Sequence, residues 1–211
     1  VLSAYPITPQ TTIIEYLAKM VADGELTAEY IKVESEHSAM ASCIGAAAAG
    51  CRVFTATSSQ GLLLMHEMLW QASGLRLPIV MVNVNRAVGA PWNTNTDQTD
   101  SLAQRDTGWS QFYCENCQEV LDTVIQAYRI AEIVSLPIMV VSEGFVLSHT
   151  SEPADIPEQD KVDEFLPTYQ PVWQLDNDHP AAYGAHAYPM HYSQFRRDMQ
   201  RAMMGIGAVQ A

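Results

Sequence analysis

Six short apolar runs, several of them continuous and rich in β-branched residues, alternate with helical patterns from Val1 to about residue 145. The runs are "VLSAY", "YIKVES", "RVFTATS", "LPIVMVNVN", "GWSQFYC" and "LPIMVVSEGF". Runs of this kind suit strands buried on both faces of a parallel sheet. Between them, Thr11–Ala22, Glu36–Ala49, Gln60–Ser73 and Gln118–Ile133 read as helices. In the first, Ile13, Ile14, Leu17, Met20 and Val21 form one apolar stripe. Gly24, Gly50 and Gly74 fall where helices should stop. Repeated βα of this kind predicts an α/β fold with a doubly wound parallel sheet.

The texture changes after Thr150. "SEPADIPEQDKVDEFLPTYQP" is acidic and proline-rich, and the remainder ends in a helical pattern from Tyr192. The expected division is therefore a domain over residues 1–150 and a linker or arm over 151–211, leading toward a further domain. The abrupt start inside an apparent strand reads as a fragment lacking at least one earlier element.

A formal charge of −13 argues against nucleic acid and anionic membranes, both of which need clustered Lys/Arg. No apolar run has membrane-spanning length, and no basic-then-apolar signal segment opens the chain. Four cysteines and ten methionines suggest a reducing cytoplasm rather than a disulfide scaffold.

Chemistry-bearing motifs gather at the expected strand-to-helix corners. In "AYPITPQTT", Pro6 and Pro9 stiffen a very short connection around Thr8. Thr8 reads either as the cap of a helix with Pro9 in its first turn or as a hydroxyl facing a ligand, and both can hold together. "KVESEHSAM" puts Glu34 and Glu36 at the second corner, where an acid also suits the helix dipole. The small residues of "ASCIGAAAAG" allow close approach of a backbone or a bulky cofactor.

"TATSSQGLLLMHEMLW" places Ser58, Ser59, Gln60 and Gly61 at a third corner able to bind phosphate. It lacks the GxxxxGK[ST] loop, and neither GxGxxG, HExxH nor GxSxG occurs in the chain. "CENC", Cys114 to Cys117, has metal or redox spacing without a second pair to complete four ligands, and incidental cysteines are the favoured reading.

Arg86 ends the most apolar strand, where parallel sheets place ligand contacts, and a guanidinium there suits a carboxylate or phosphate. The bland alternative is a salt bridge to Asp97 or Asp100 in its own loop. That loop, "RAVGAPWNTNTDQTD", is long and polar for a βα connection.

"SAYPITPQTTIIEYLA", "IKVESEHSAM", "TATSSQGLLLMHEML", "LPIVMVNVNRA", "QRDTGW" and "GFVLSHT", over residues 3 to about 152, resemble the alpha subunit or first domain of 2-oxoacid:ferredoxin oxidoreductases, specifically the pyruvate type. The resemblance implies a pyrimidine-binding domain for thiamine diphosphate. Mg²⁺ and the diphosphate would be held by a beta subunit through a GDG-type motif, which this sequence lacks. Iron–sulfur clusters passing electrons to ferredoxin would sit on another subunit of a hetero-oligomer.

By the same resemblance, Glu36 is the catalytic and cofactor-binding glutamate that hydrogen-bonds the pyrimidine and favours its imino tautomer. Thr8 and Arg86 are the pair holding the carboxylate and carbonyl oxygen of the 2-oxoacid. The implied activity is conversion of pyruvate and CoA to acetyl-CoA and CO2 with reduction of ferredoxin. Trp92 in the loop after Arg86 leaves a branched-chain or aromatic 2-oxoacid as the alternative. A non-catalytic nucleotide-binding or structural subunit is the rival of another class, disfavoured by the absent phosphate loop and the presence of Glu36.

Overall fold

The computed structural model describes residues 1–184 and 186–210. Six strands appear where the apolar runs fall: β1 Leu2–Ser3, β2 Tyr30–Ile31, β3 Phe54–Thr57, β4 Val80–Val84, β5 Ser110–Tyr113 and β6 Ile138–Ser142. They form one wholly parallel sheet in the order β2-β1-β3-β4-β6-β5. All five residues of β4 and of β6 are buried, which accounts for their unbroken apolar sequences.

Alternation along those central strands divides the core between the two faces. Met81, Met139 and Val141 pack with Met40, Cys43, Leu62 and Leu69. Val80, Val82, Ile138 and Val140 pack on the opposite face with Ile14, Ile130 and Ala131. Helices α2 (Glu36–Ala48), α3 (Ser59–Leu64) and α4 (His66–Gly74) therefore cover one face, and α1 (Thr11–Ala22) and α6 (Cys117–Val134) the other. This is the doubly wound arrangement expected from the βα repeat. The small residues of α2 serve helix–sheet packing: Ala39, Cys43 and Ala47 are buried in that core.

Several local expectations are corrected. The stretch from Gln60 to Ser73 is interrupted at Met65, whose N–H is shared between the Gly61 and Leu62 carbonyls at 3.1 and 3.2 Å. Gly24 and Gly50 take positive φ just past α1 and α2, and α4 stops at Gly74 as expected, though without a positive φ there. The left-handed residue after α4 is Arg76, whose guanidinium donates to the Val134 and Ser135 carbonyls at 2.7 and 2.8 Å and so caps the end of α6. Thr8 caps no helix. The residue before α1 is Gln10, in a helical conformation with no side-chain cap bond.

Short helices α5 (Thr99–Leu102), α7 (Val146–His149) and α8 (Gln159–Phe165) lie in the connections and the arm. The last helical stretch is longer than the sequence suggested, with α9 spanning Pro189–Met204, Pro189 at its first position, and α10 spanning Ile206–Gln210. Along the arm, the Leu175 N–H donates to the Ala48 carbonyl at 2.8 Å, and Trp173 packs against the α2–α4 core while stacking on Tyr183 at 4.0 Å. Met199, Ala202, Met203 and Ile206 pack against the core beside α6. No described helix is long and apolar enough to cross a membrane.

Candidate active site at the switch point

The helix after β1 lies on one face and the helix after β2 on the other, so the chain changes direction between β1 and β3. In open parallel sheets this switch point opens a crevice at the carboxyl ends of the strands. Gln10 stitches its floor. Fully buried, its side-chain amide donates to the Tyr5 carbonyl at 2.9 Å and to Ala56 of β3 at 2.8 Å.

Arg86 reaches over this crevice from the end of β4. Its Nη1 donates to the Thr8 carbonyl at 2.5 Å and its Nη2 to Gln60 Oε1 at 2.8 Å. The Trp92 ring lies over the guanidinium, 5.0 Å from its central carbon to the ring centroid. Arg86 is only 9% exposed, yet its Nε has no partner. Burial lowers the guanidinium below its ordinary pKa, and the nearby Asp100 carboxylate pulls the other way.

The salt bridge to Asp97 or Asp100 considered from sequence does not form; what Asp100 accepts is the Arg86 backbone N–H, at 3.3 Å. Thr8 is exposed and contributes its carbonyl to Arg86. The structure therefore brings Thr8 and Arg86 together.

Glu36 is the first residue of α2, set by Ser35, whose hydroxyl accepts the Ser38 N–H at 3.2 Å as the helix cap. The two glutamates of this corner part company. Glu34 is exposed and its carboxyl is held low by the Ser38 hydroxyl, at 2.6 Å, whereas Glu36 is turned inward at 8% exposure. Among the described residues no hydrogen-bond donor reaches the Glu36 carboxylate. It lies over Gly61, where a Cβ would come within 2.7 Å of Oε1 and within 2.6 Å of Thr57 Oγ1. Glycine is required there by close approach rather than by backbone angle. Glu36 and Arg86 thus meet the same corner, Ser58–Gly61, at Gly61 and Gln60.

That corner does not form the phosphate cradle suggested by its serines. The Ser59 N–H, first in α3, is already taken by Asp100 Oδ2 at 2.8 Å, and the Ser59 hydroxyl donates to the Ala87 carbonyl at 2.6 Å. Six of the eight buried side-chain atoms left unpaired among the described residues belong to this region: Gln10 Oε1, Thr57 Oγ1, Ser58 Oγ, Asn83 Oδ1, Asn85 Oδ1 and Arg86 Nε. An unpaired buried polar group costs about 1–3 kcal/mol, and their concentration here makes this crevice the candidate site.

Sequence reasoning missed Gln10, the part played by Gln60, and the full burial of Asp100, named only as a possible ion-pair partner of Arg86. One signal was available: in "VNVN", Asn83 and Asn85 are two apart and so face the same side of β4.

The CENC pair stands apart, at the β5–α6 corner. Cys114 is buried and Cys117 opens α6, and both thiols are free. Burial raises the Cys114 thiol, and burial together with Glu152 raises that of Cys117, the opposite of an activated thiolate. No group of three or more metal-ligating side chains occurs among the described residues.

Comparison with known proteins agrees with this geometry. The family described as pyruvate flavodoxin/ferredoxin oxidoreductase, thiamine diphosphate-binding, matches residues 1–211. Pyruvate synthase subunit PorA of Methanothermobacter thermautotrophicus is 58% identical over 205 residues, covering 96% of this chain and 54% of the relative. Ketoisovalerate oxidoreductase subunit VorA of Pyrococcus horikoshii is 59% identical over 203 residues, covering 96% and 52%. The chain thus spans about half the length of these curated relatives. Among solved structures, 2-oxoglutarate:ferredoxin oxidoreductase from Magnetococcus marinus shares the fold with a TM-score of 0.73 at 21% identity, covering 97% of this chain and 41% of that one. The chain belongs to the thiamine diphosphate-binding family of pyruvate flavodoxin/ferredoxin oxidoreductases.

Proposed function

We propose that this chain supplies the pyrimidine-binding half of a thiamine diphosphate-dependent 2-oxoacid:ferredoxin oxidoreductase. The reaction converts a 2-oxoacid and CoA to acyl-CoA and CO2, with the released electrons passing to ferredoxin. Partner chains would carry the diphosphate and Mg²⁺ site and the iron–sulfur clusters, in a cytoplasmic hetero-oligomer. Residues 1–150 form the pyrimidine-binding domain in this reading and 151–211 the arm.

The residues present fit the cofactor: a buried carboxylate without an internal donor lies at the switch point, above a glycine that leaves it room. When bound, thiamine diphosphate supplies a thiazolium carbon that adds to the 2-oxo group and accepts the electron pair released on loss of CO2. Glu36 would accept a hydrogen bond from the pyrimidine ring and so hold a proton at that ring nitrogen. Arg86 would bind the substrate carboxylate through guanidinium N–H groups other than the two given to Thr8 and Gln60, and Thr8 would meet the substrate with its exposed hydroxyl. Exclusion of water around the buried Arg86 would lower the local dielectric and strengthen its contact with a carboxylate.

One observation carries the reading: a strand-end arginine, buried at the switch point, spends only two of its five side-chain N–H donors within the chain, one to Thr8 and one to Gln60. Pyruvate is the preferred substrate. A branched-chain 2-oxoacid is the second reading, supported by equal similarity to ketoisovalerate subunits and by the Trp92 ring over Arg86.

Arg86→Lys in the assembled enzyme tests the reading, because lysine keeps the charge and loses the planar fork. The KM for the 2-oxoacid should rise about tenfold or more, with those for CoA and ferredoxin unchanged. A lower Tm with an unchanged 2-oxoacid KM would reduce Arg86 to a structural brace.

A further inference from the structure

Five N–H groups converge on the carboxylate of Asp100, which is fully buried. Oδ2 accepts from Ser59 N at 2.8 Å, Asn83 Nδ2 at 3.1 Å and Arg86 N at 3.3 Å. Oδ1 accepts from Asn85 Nδ2 at 2.6 Å and from Ser101 N at 2.8 Å. The side chains of Asn83 in β4 and of Asn85 just after it, the main chain of Arg86 and Ser101, and the first N–H of α3 are therefore gathered on one residue from the long loop. A carboxylate is an acceptor only, and this environment offers it only donors.

The consequence for Arg86 runs along two routes. The first is direct, through the Arg86 N–H, which fixes where the strand ends and the side chain departs. The second passes through Ser59. That residue has φ of 49°, a left-handed conformation costly for serine, and it is held there by Asp100 at its N–H and by the Ala87 carbonyl at its hydroxyl. The next residue is Gln60, whose Oε1 accepts Arg86 Nη2 at 2.8 Å. From the far side, Gly144 lets the chain press against the same segment, since a Cβ there would lie 1.5 Å from the Asn85 carbonyl oxygen.

Resting on the reading of Arg86 as the carboxylate-binding residue, we propose that Asp100 is a positioning residue that sets the aim of the Arg86 guanidinium toward the 2-oxoacid. Asp100 touches no substrate. It works by fixing both the main chain from which Arg86 springs and the glutamine against which its guanidinium rests. Displacements of about 1 Å at such a clamp are enough to lose a hundredfold in rate.

Asp100→Asn tests this by turning one acceptor into a donor among five donors. In the assembled enzyme the KM for pyruvate, or for 3-methyl-2-oxobutanoate if that is the better substrate, should rise about tenfold, with those for CoA and ferredoxin unmoved. Calorimetry on the assembled enzyme free of thiamine diphosphate should show the same loss of 2-oxoacid affinity, without reference to turnover. Combined with Arg86→Lys, Asp100→Asn should add little, because both act through one guanidinium.

If Asp100→Asn yields no soluble enzyme, Asn85→Ala removes one of the five donors and should raise the same KM by about threefold. A lower Tm with unchanged 2-oxoacid KM and affinity, or fully additive effects with Arg86→Lys, would overturn the proposal. The two claims separate cleanly. Arg86→Lys without effect on KM sinks the reading of Arg86, whereas an effect of Arg86→Lys but none of Asp100→Asn sinks only the role of Asp100.

Discussion

At the β5–α6 corner the helix is capped locally except at its first N–H. Asn116 accepts the Glu119 N–H at 2.8 Å, Glu119 reaches back to accept the Glu115 N–H at 2.6 Å, and Glu152 takes the Cys117 N–H at 3.2 Å. At the β3–α3 corner none of this local capping exists. Ser58, in the same position as Asn116, makes no cap bond, and the first N–H of α3 depends on Asp100, 41 residues away. Glu36, Gln60 and Arg86 crowd around that corner while Ser58 Oγ, Thr57 Oγ1 and Arg86 Nε stay unpaired. Both corners hand the first helical N–H to a distant carboxylate. The β5–α6 corner adds local caps from Asn116 and Glu119, whereas the β3–α3 corner has no local cap and leaves buried groups unpaired. The proposed function assigns binding to the second of these turns and only a folding role to the first.

Three substitutions press on that contrast. Glu36→Gln in the assembled enzyme keeps the shape and removes the ionised acceptor, so turnover should fall by orders of magnitude while thiamine diphosphate still binds. Gly61→Ala should come next, since the added methyl meets Glu36 Oε1 at 2.7 Å and must push the carboxylate aside. Its expected signature is a loss of turnover of about tenfold or more with a small change in Tm. Asn116→Ala, at the locally capped corner, should cost about 1 kcal/mol of stability, seen as a Tm a few degrees lower, and leave every KM unchanged. Equal kinetic damage from Asn116→Ala would erase the distinction between the corners.

Much of this was legible from the residues. The positions of the six strands follow from continuous apolar runs, and burial of both faces of β4 and β6 is why those runs do not alternate. The span of α1 was readable from its apolar stripe. The docking of α9 and α10 was not, because Met199 and Ile206 find their partners across the fold on α6 and the sheet, a tertiary fact with no local signature.

At the site, Arg86 drew notice as a charge closing an apolar strand. Asp100 and Gln60 were named for other parts, an ion pair and a phosphate corner, because the hydrogen bonds each makes across the fold have no local signature. The alternative pairing of Arg86 with Asp97 or Asp100 is not made between side chains: Asp100 accepts the Arg86 main-chain N–H, and the guanidinium turns instead to the Thr8 carbonyl and Gln60.

The central claim is that the crevice between β1 and β3 holds one half of a thiamine diphosphate site, with Glu36 acting on the pyrimidine. Hydrogen–deuterium exchange at the thiazolium C2 of the bound cofactor, followed in the assembled enzyme with and without Glu36→Gln, tests it without involving substrate, CoA or ferredoxin. The account predicts exchange slowed by orders of magnitude in the variant, with the cofactor still bound. Exchange at the wild-type rate would contradict it and remove Glu36 from the chemistry.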